Sequence, residues 1–308
     1  MLEFSQYCLA AATILVALAA LTYVAAVALR RSVGRTVATV PEPAAVGASS
    51  SAADAPSAVG AVGGSATSAG RPERGLSWYG SRLVQLALVA LTGTLVARAI
   101  ATGHAPFSNQ YEFAVSFAWG MLAAQVYFEW RYRVRALALL VLPITLAMLL
   151  YASTTDATAA PLLPALQNHL LLTLHVVTAV LAYGAAGVAF GAGVLYLLAP
   201  RLPQRGLPSQ ELLDEIGYRG VVFAFPLLTI MIILGAIWAD IAWGHYWSWD
   251  PKETAALVTW LIYGAYLHAR VVRDWRGNRA AWLLIVGFLA ILFTYFGNLF
   301  FGGLHAYA

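Results

Sequence analysis

Eight stretches of the chain are almost continuously apolar, at roughly 6–29, 82–101, 112–128, 136–151, 170–198, 219–242, 254–272 and 280–299. A helix needs about 20 apolar residues to cross the hydrocarbon of a bilayer. Most of the eight approach that length; the fourth is short and carries Pro143. A backbone in lipid has no water to bond, so its N–H and C=O groups must be satisfied within the segment, as in a helix. The expectation is an all-α polytopic membrane protein with about eight transmembrane helices. Composition agrees, at 61% hydrophobic residues and 10% charged. The N-terminal run has no basic flank and no small-residue cleavage signature, and reads as a retained helix.

The charges are distributed unevenly between the loops. All but two of the 18 basic residues fall in one alternate set: Arg30–Arg82, Arg131–Arg135, Arg201–Arg219 and Arg270–Arg279. The opposite set keeps only Arg98 and Lys252. Arginine-rich short loops stay in the cytoplasm, so both termini are expected outside. The small net charge of +4 gives no reason to expect a nucleic-acid partner. The single cysteine, Cys8, excludes an internal disulfide and a CxxC pair. Residues 36–75 are rich in Ala, Gly, Ser, Val and Pro without periodicity, the composition of a flexible linker. The domain reading is a first transmembrane helix at 1–35, a cytoplasmic linker at 36–78 and a membrane core at 79–308.

Within that core one loop stands apart. Trp243–Glu253 reads WGHYWSWDPKE and gathers Trp243, Trp247 and Trp249, with Trp238 just before. An interfacial belt places rings at helix ends, but it does not stack four beside one loop. The pattern suggests a flat, apolar, π-rich platform. Asp250-Pro251-Lys252-Glu253 carries a helix-start signature, with Asp at N-cap, Pro at N1 and Glu closing a capping box. Lys252, the only lysine, suits a carboxylate-bearing ligand. Asn109 and Glu112 predict a second capping box.

Five of the six histidines fall on the side of this loop: His104, His169, His175, His245 and His305. Haem fits a site of tryptophan, imidazole and a cation, since its iron takes axial histidine and its propionates need positive or wet surroundings. Axial ligands approach from opposite faces, so they come from separate segments. His175 and His305 meet that condition best, with His104, His169 and His245 as weaker candidates. His268 is an ionisable group inside a span, which marks it as functional by default. Neighbouring Arg270 could snorkel to the surface beside it and assist a propionate.

These residues resemble a known pattern. WGHYWSWDPKE, followed by Trp260 and Tyr266-Leu-His268, is similar to the WWD signature of haem-handling membrane proteins. The segments Pro106-Phe-Ser-Asn-Gln-Tyr-Glu112, Leu174-His175-Val176 with Tyr183, and Gly303-Leu304-His305-Ala-Tyr307 resemble the CcsA/ResC-type subunit of the System II cytochrome c synthase. The resemblance runs from about residue 104 to the C-terminus. It implies a multi-pass protein of a bacterial plasma membrane with the WWD loop, here 238–253, on the outer face. Haem b would arrive at a transmembrane histidine, matched by His268, and move to an outer site. There His175 and His305 would hold the iron, beside Trp243, Trp247, Trp249, Asp250 and Lys252. Apocytochrome c would bring a CxxCH motif, a thioredoxin-like protein would keep its thiols reduced, and a ResB-type membrane subunit would complete the haem lyase. The alternatives are a CcmC-type protein that hands haem to a chaperone and a transporter of small amphiphiles.

Overall fold

The computed structural model describes residues 1–37, 75–159, 162, 164–167, 169–202, 207–297 and 300–305. The linker at 38–74, with Arg71 and Arg74, and also Arg205 and Tyr307, lie outside them. Among the described residues eight α-helices occupy the places read from the apolar runs: α1 Leu2–Val37, α2 Leu76–Thr102, α3 Gln110–Tyr132, α4 Ala138–Thr154, α5 His169–Leu198, α6 Gln210–Trp243, α7 Pro251–Arg273 and α8 Asn278–Phe296. Among the described residues there is no strand.

Six of the helices, all but α3 and α4, are long and apolar enough to cross a membrane. The 17-residue α4 is apolar but short and contains Pro143. Charged and polar residues lower the hydropathy of α3, which carries Glu112, Gln125 and Glu129. Helix ends follow local chemistry. Ser209 caps α6 and Asn109 caps α3 through their side-chain oxygens. Gly103 and Gly244 end α2 and α6 in the left-handed region, where glycine carries no Cβ penalty. Leu76–Trp78, read as linker, form the first turn of α2.

Helix α5 is the centre, packed against α6, α3 and α8, while α1 and α2 pair with each other and lean on α4 and α3. Between helices in lipid there is no hydrophobic drive, so close contact between small residues replaces it. Gly120 of α3 and Gly184 of α5 supply the closest approach. A Cβ at Gly120 would lie 2.5 Å from the Val180 carbonyl oxygen, and one at Gly184 would overlap the carbonyl of Gly120. Ala182, Ala185, Ala186, Ala189 and Ala192 continue this buried face of α5.

The two ends of the bundle differ. At the arginine-rich end, Arg270 departs from the expectation that it snorkels. It is buried and pairs with Asp214, Nη1 to Oδ1 at 2.7 Å and Nη2 to Oδ2 at 2.6 Å, under Tyr218. At the tryptophan end, Arg98 is also buried, with Nε 2.5 Å from Glu112. Its remaining donors hold the carbonyls of Ala157 (2.9 Å) and Thr158 (3.3 Å). Glu112 also accepts from the backbone N–H and hydroxyl of Ser108, both at 2.7 Å. It therefore reaches back one residue beyond the N-cap, and its principal partner is Arg98.

Candidate functional site

The site is built where helices α3, α5 and α7 begin and α6 and α8 end. At the end of α6, Trp238 and Trp243 lie one turn apart. Trp238 is 2% exposed and meets Trp243 edge to face, centroids 4.8 Å apart. Trp238 stacks parallel to the His175 ring at 6.4 Å and also meets the His305 ring, tilted, at 5.7 Å. Trp243 touches His305 as well, at 4.9 Å. One indole thus bridges two imidazoles donated by α5 and by the tail after α8.

Each imidazole is fixed by its Nδ1. His175 Nδ1 lies 2.8 Å from the Met231 carbonyl oxygen and His305 Nδ1 lies 3.0 Å from Asp250 Oδ1. Both partners only accept, so Nδ1 must carry the proton in each ring. The neutral tautomer then has its lone pair on Nε2. That is the state of a histidine prepared as a metal ligand, with its other nitrogen donated to a carbonyl or carboxylate.

Asp250 serves two structures at once. Its Oδ1 accepts the Lys252 N–H at 2.8 Å and so caps α7, and Glu253 completes the capping box. The same oxygen holds the tail through His305. Burial pushes the Asp250 carboxyl up, but the bonds from His305 and the Lys252 backbone outweigh it and hold it at about 2. Glu253 also accepts from the backbone and hydroxyl of Ser248, at 2.8 and 3.0 Å, which fixes the loop between Trp247 and Trp249.

Two glycines make this possible, and sequence reasoning passed over one of them. A Cβ on Gly235 of α6 would lie 2.7 Å from His175 Cε1, so only glycine leaves room for the ring. Gly303 lies so close to Asp250 that a Cβ there would overlap the carboxylate. Gly235 could be suspected from sequence only through its place on the helix face one turn before Trp238.

His175 and His305 line one cleft, together with Phe113, Tyr183, Trp247 and Lys252. The cleft is narrow, with room for about 130 Å³ of water-sized guest. The Lys252 ammonium lies 5.4 Å from the Phe113 ring, and no carboxylate of the described residues is within ion-pair distance. Trp247 Nε1 and the Tyr295 hydroxyl are buried without a hydrogen-bond partner, an arrangement that favours a polar guest.

The expected four-ring shelf is not flat. Trp238 and Trp243 brace the imidazoles, Trp247 lines the cleft, and Trp249 turns outward, 69% exposed at φ 59°. His104 and His245 bond neighbouring backbone carbonyls outside the cleft lining, at 2.9 Å each. The His169 side chain is outside the described set. His268 is on the exposed face of α7, towards the arginine-rich end. It follows Asp250 by a helical path of roughly 27 Å.

A sequence family fits this arrangement. The cytochrome c assembly protein family matches residues 107–305, which contain the cleft and both anchored histidines. The chain belongs to the cytochrome c assembly protein family. It is similar to the cytochrome c biogenesis protein CcsA of Guillardia theta, 38% identical over 257 residues, covering 74% of this chain and 84% of that one. The CcsA protein of Gloeobacter violaceus is 35% identical over 284 residues, covering 72% and 84%. That of Microcystis aeruginosa is 36% identical over 291 residues, covering 76% and 87%. The family match begins just before α3, so α1 and α2 stand outside it while every described residue that lines the cleft stands within.

Proposed function

We propose that this member of the cytochrome c assembly family presents haem b at the tryptophan end for attachment to apocytochrome c. The observation that carries the reading is the pair of imidazoles, each with Nδ1 anchored and both lining one cleft. Haem is the cargo. His175 and His305 take its iron through Nε2, Trp247 walls the ring, and Lys252 meets a propionate. Because the cleft is narrow, the wall that yields is the short tail of residues 300–305, held at Asp250 and by ring contacts.

The apocytochrome's two thiols add across the haem vinyl groups. Each addition forms one C–S bond and places the thiol proton on the neighbouring vinyl carbon, without net oxidation. No cysteine of this chain lines the cleft, so the protein does not trap a vinyl itself. Non-covalent ligation leaves the ring transferable once the cytochrome's own histidine replaces an axial ligand. His268, on the exposed side of α7, receives haem within the bilayer opposite a ligand from a ResB-type subunit. A thioredoxin-like protein keeps the thiols reduced. By the arginine distribution the tryptophan end faces outward from a bacterial plasma membrane, with about eight crossings and both termini outside.

The test is an optical spectrum of the purified full-length protein. A Soret band is expected, and His175→Ala with His305→Ala should lower haem occupancy of the outer site at least about tenfold, the scale on which ligand shells act. Exogenous imidazole should restore the single variants. An unchanged band in the double variant would overturn the reading. Co-purification with a ResB-type subunit separates it from a CcmC-type role, and a colourless protein would favour the amphiphile transporter.

Gly235→Ala supplies a finer test. Alanine favours a helix over glycine by about 1 kcal/mol, so α6 should not weaken for its own sake. The new methyl instead displaces the His175 ring from Met231. Haem affinity is expected to fall about tenfold with the melting temperature held. Unaltered affinity would mean the ring needs no such anchorage.

A further inference from the structure

A second pocket opens at the other end of the bundle, among α1, α2, the α3–α4 turn and the start of α6. It is far roomier than the haem cleft, at about 850 Å³. Among the described residues three guanidiniums line it, from Arg82, Arg133 and Arg135, against one carboxylate, Glu129. Glu129 is already committed. It accepts from the Tyr23 hydroxyl at 3.1 Å and from Ser81, and pairs with Arg135 at 3.5 Å. Two positive charges therefore remain uncompensated by the lining.

The pocket is shaped as well as charged. Arg135 is tied to Ser77 at 3.2 Å, and Arg82 stands 5.1 Å from the Trp78 ring centroid. Arg133 ends α3 in the left-handed conformation, φ 57°, with its N–H on the Glu129 carbonyl. This backbone turn carries the side chain to the rim. The rim arginines are exposed, while buried Val134 and half-buried Val126 and Leu139 form an apolar wall. A cationic rim over an apolar wall, between helices at a membrane surface, matches an anionic headgroup with a hydrocarbon body. Guanidinium groups suit phosphate through paired N–H donors.

We propose that this pocket binds a phosphate ester at Arg82 and Arg133, its apolar part lying along Val126, Val134 and Leu139, as the headgroup of an acidic phospholipid does.

Native mass spectrometry of the full chain with phosphatidylglycerol or phosphatidylcholine is the test, with a parallel melting series in inorganic phosphate. Wild type should retain phosphatidylglycerol preferentially. The Arg82→Gln, Arg133→Asn double variant should weaken that retention about 30-fold, taking about 1 kcal/mol per basic residue at a membrane surface; asparagine tolerates the positive φ. Arg273→Gln with Arg279→Gln removes the same charge at this end outside the pocket and should leave retention unchanged. Stabilisation by inorganic phosphate, lost in the pocket variant, with no lipid preference, would support the same chemistry from a soluble source. Retention insensitive to Arg82 and Arg133, or weakened equally by the Arg273 and Arg279 changes, or no retention and no phosphate effect, would overturn the proposal.

Discussion

Asp250→Ala is expected to cost haem affinity tenfold to a hundredfold and to destabilise the apoprotein as well. The two losses have separate causes. Removing an N-cap aspartate costs about 1 kcal/mol of helix stability, here from α7. Removing the acceptor of His305 Nδ1 frees the tail and the tautomer, and such outer partners of metal ligands act over roughly 10–100-fold in affinity. Asp250→Asn separates them. Asparagine caps a helix about as well as aspartate, so the capping contribution to stability should hold, while the contribution of the carboxylate's charge is lost and affinity still falls, because the charge on the imidazole's partner is gone. Melting curves in detergent and haem titration read the two quantities. Asparagine binding haem as the parent does would show that Asp250 serves only the helix.

The acid behaviour of this residue has a definite sign. The Asp250 carboxyl is held at about 2, below its ordinary 3.8. Such a group stabilises the fold fully above the ordinary value and loses that contribution as pH falls through the depressed one. The stability difference between wild type and Asp250→Asn should be constant above about pH 4 and shrink towards pH 2, as acid unfolding at graded pH would record.

Breaking the Arg98–Glu112 pair should have the largest effect on stability. Both side chains are almost wholly buried, 3% and 1% exposed. Deleting one partner strands a charge and costs about 3–5 kcal/mol, whereas replacing both by apolar residues can be close to neutral. Glu112→Leu alone is therefore expected to lower the melting temperature sharply, and Arg98→Met added to it to restore most of the loss. Arg98 also holds the carbonyls of Ala157 and Thr158, so the double variant should leave the 155–159 loop loosened. Haem affinity should fall modestly in the double variant, because Gln110 and Phe113 beside Glu112 line the cleft. A double-mutant cycle on melting would measure the coupling; two additive losses would show that the charges do not depend on each other.

The chain's own order made the helices legible. Runs of about 20 apolar residues, Ser209 and Asn109 as caps, and Asp250-Pro251-Lys252-Glu253 act within a few residues, so periodicity and local hydrogen bonding suffice to read them. The sequence also singled out His175 and His305, through a family resemblance carried by Leu174-His175-Val176 and Gly303-Leu304-His305, and the structure places both rings on one cleft. How those histidines are held was not. Met231 is 56 residues from His175, and Asp250 is 55 from His305. No local rule joins partners that far apart. Arg270 shows the same limit: its neighbours in sequence suggested a snorkelling surface cation, while Asp214, 56 residues away, keeps it buried.

The sequence by itself determined which segments are helical, which end collects arginine and which loop collects tryptophan, because each depends on composition over a turn or a span. Only the tertiary structure decided that Trp238 and Trp243 brace the imidazoles while Trp249 faces outward. It also decided that one aspartate both starts α7 and anchors the tail, and that a glycine gives His175 its space. Those outcomes are set by where α5, α6, α7 and the tail meet, and side-chain direction at a meeting point follows from packing between segments.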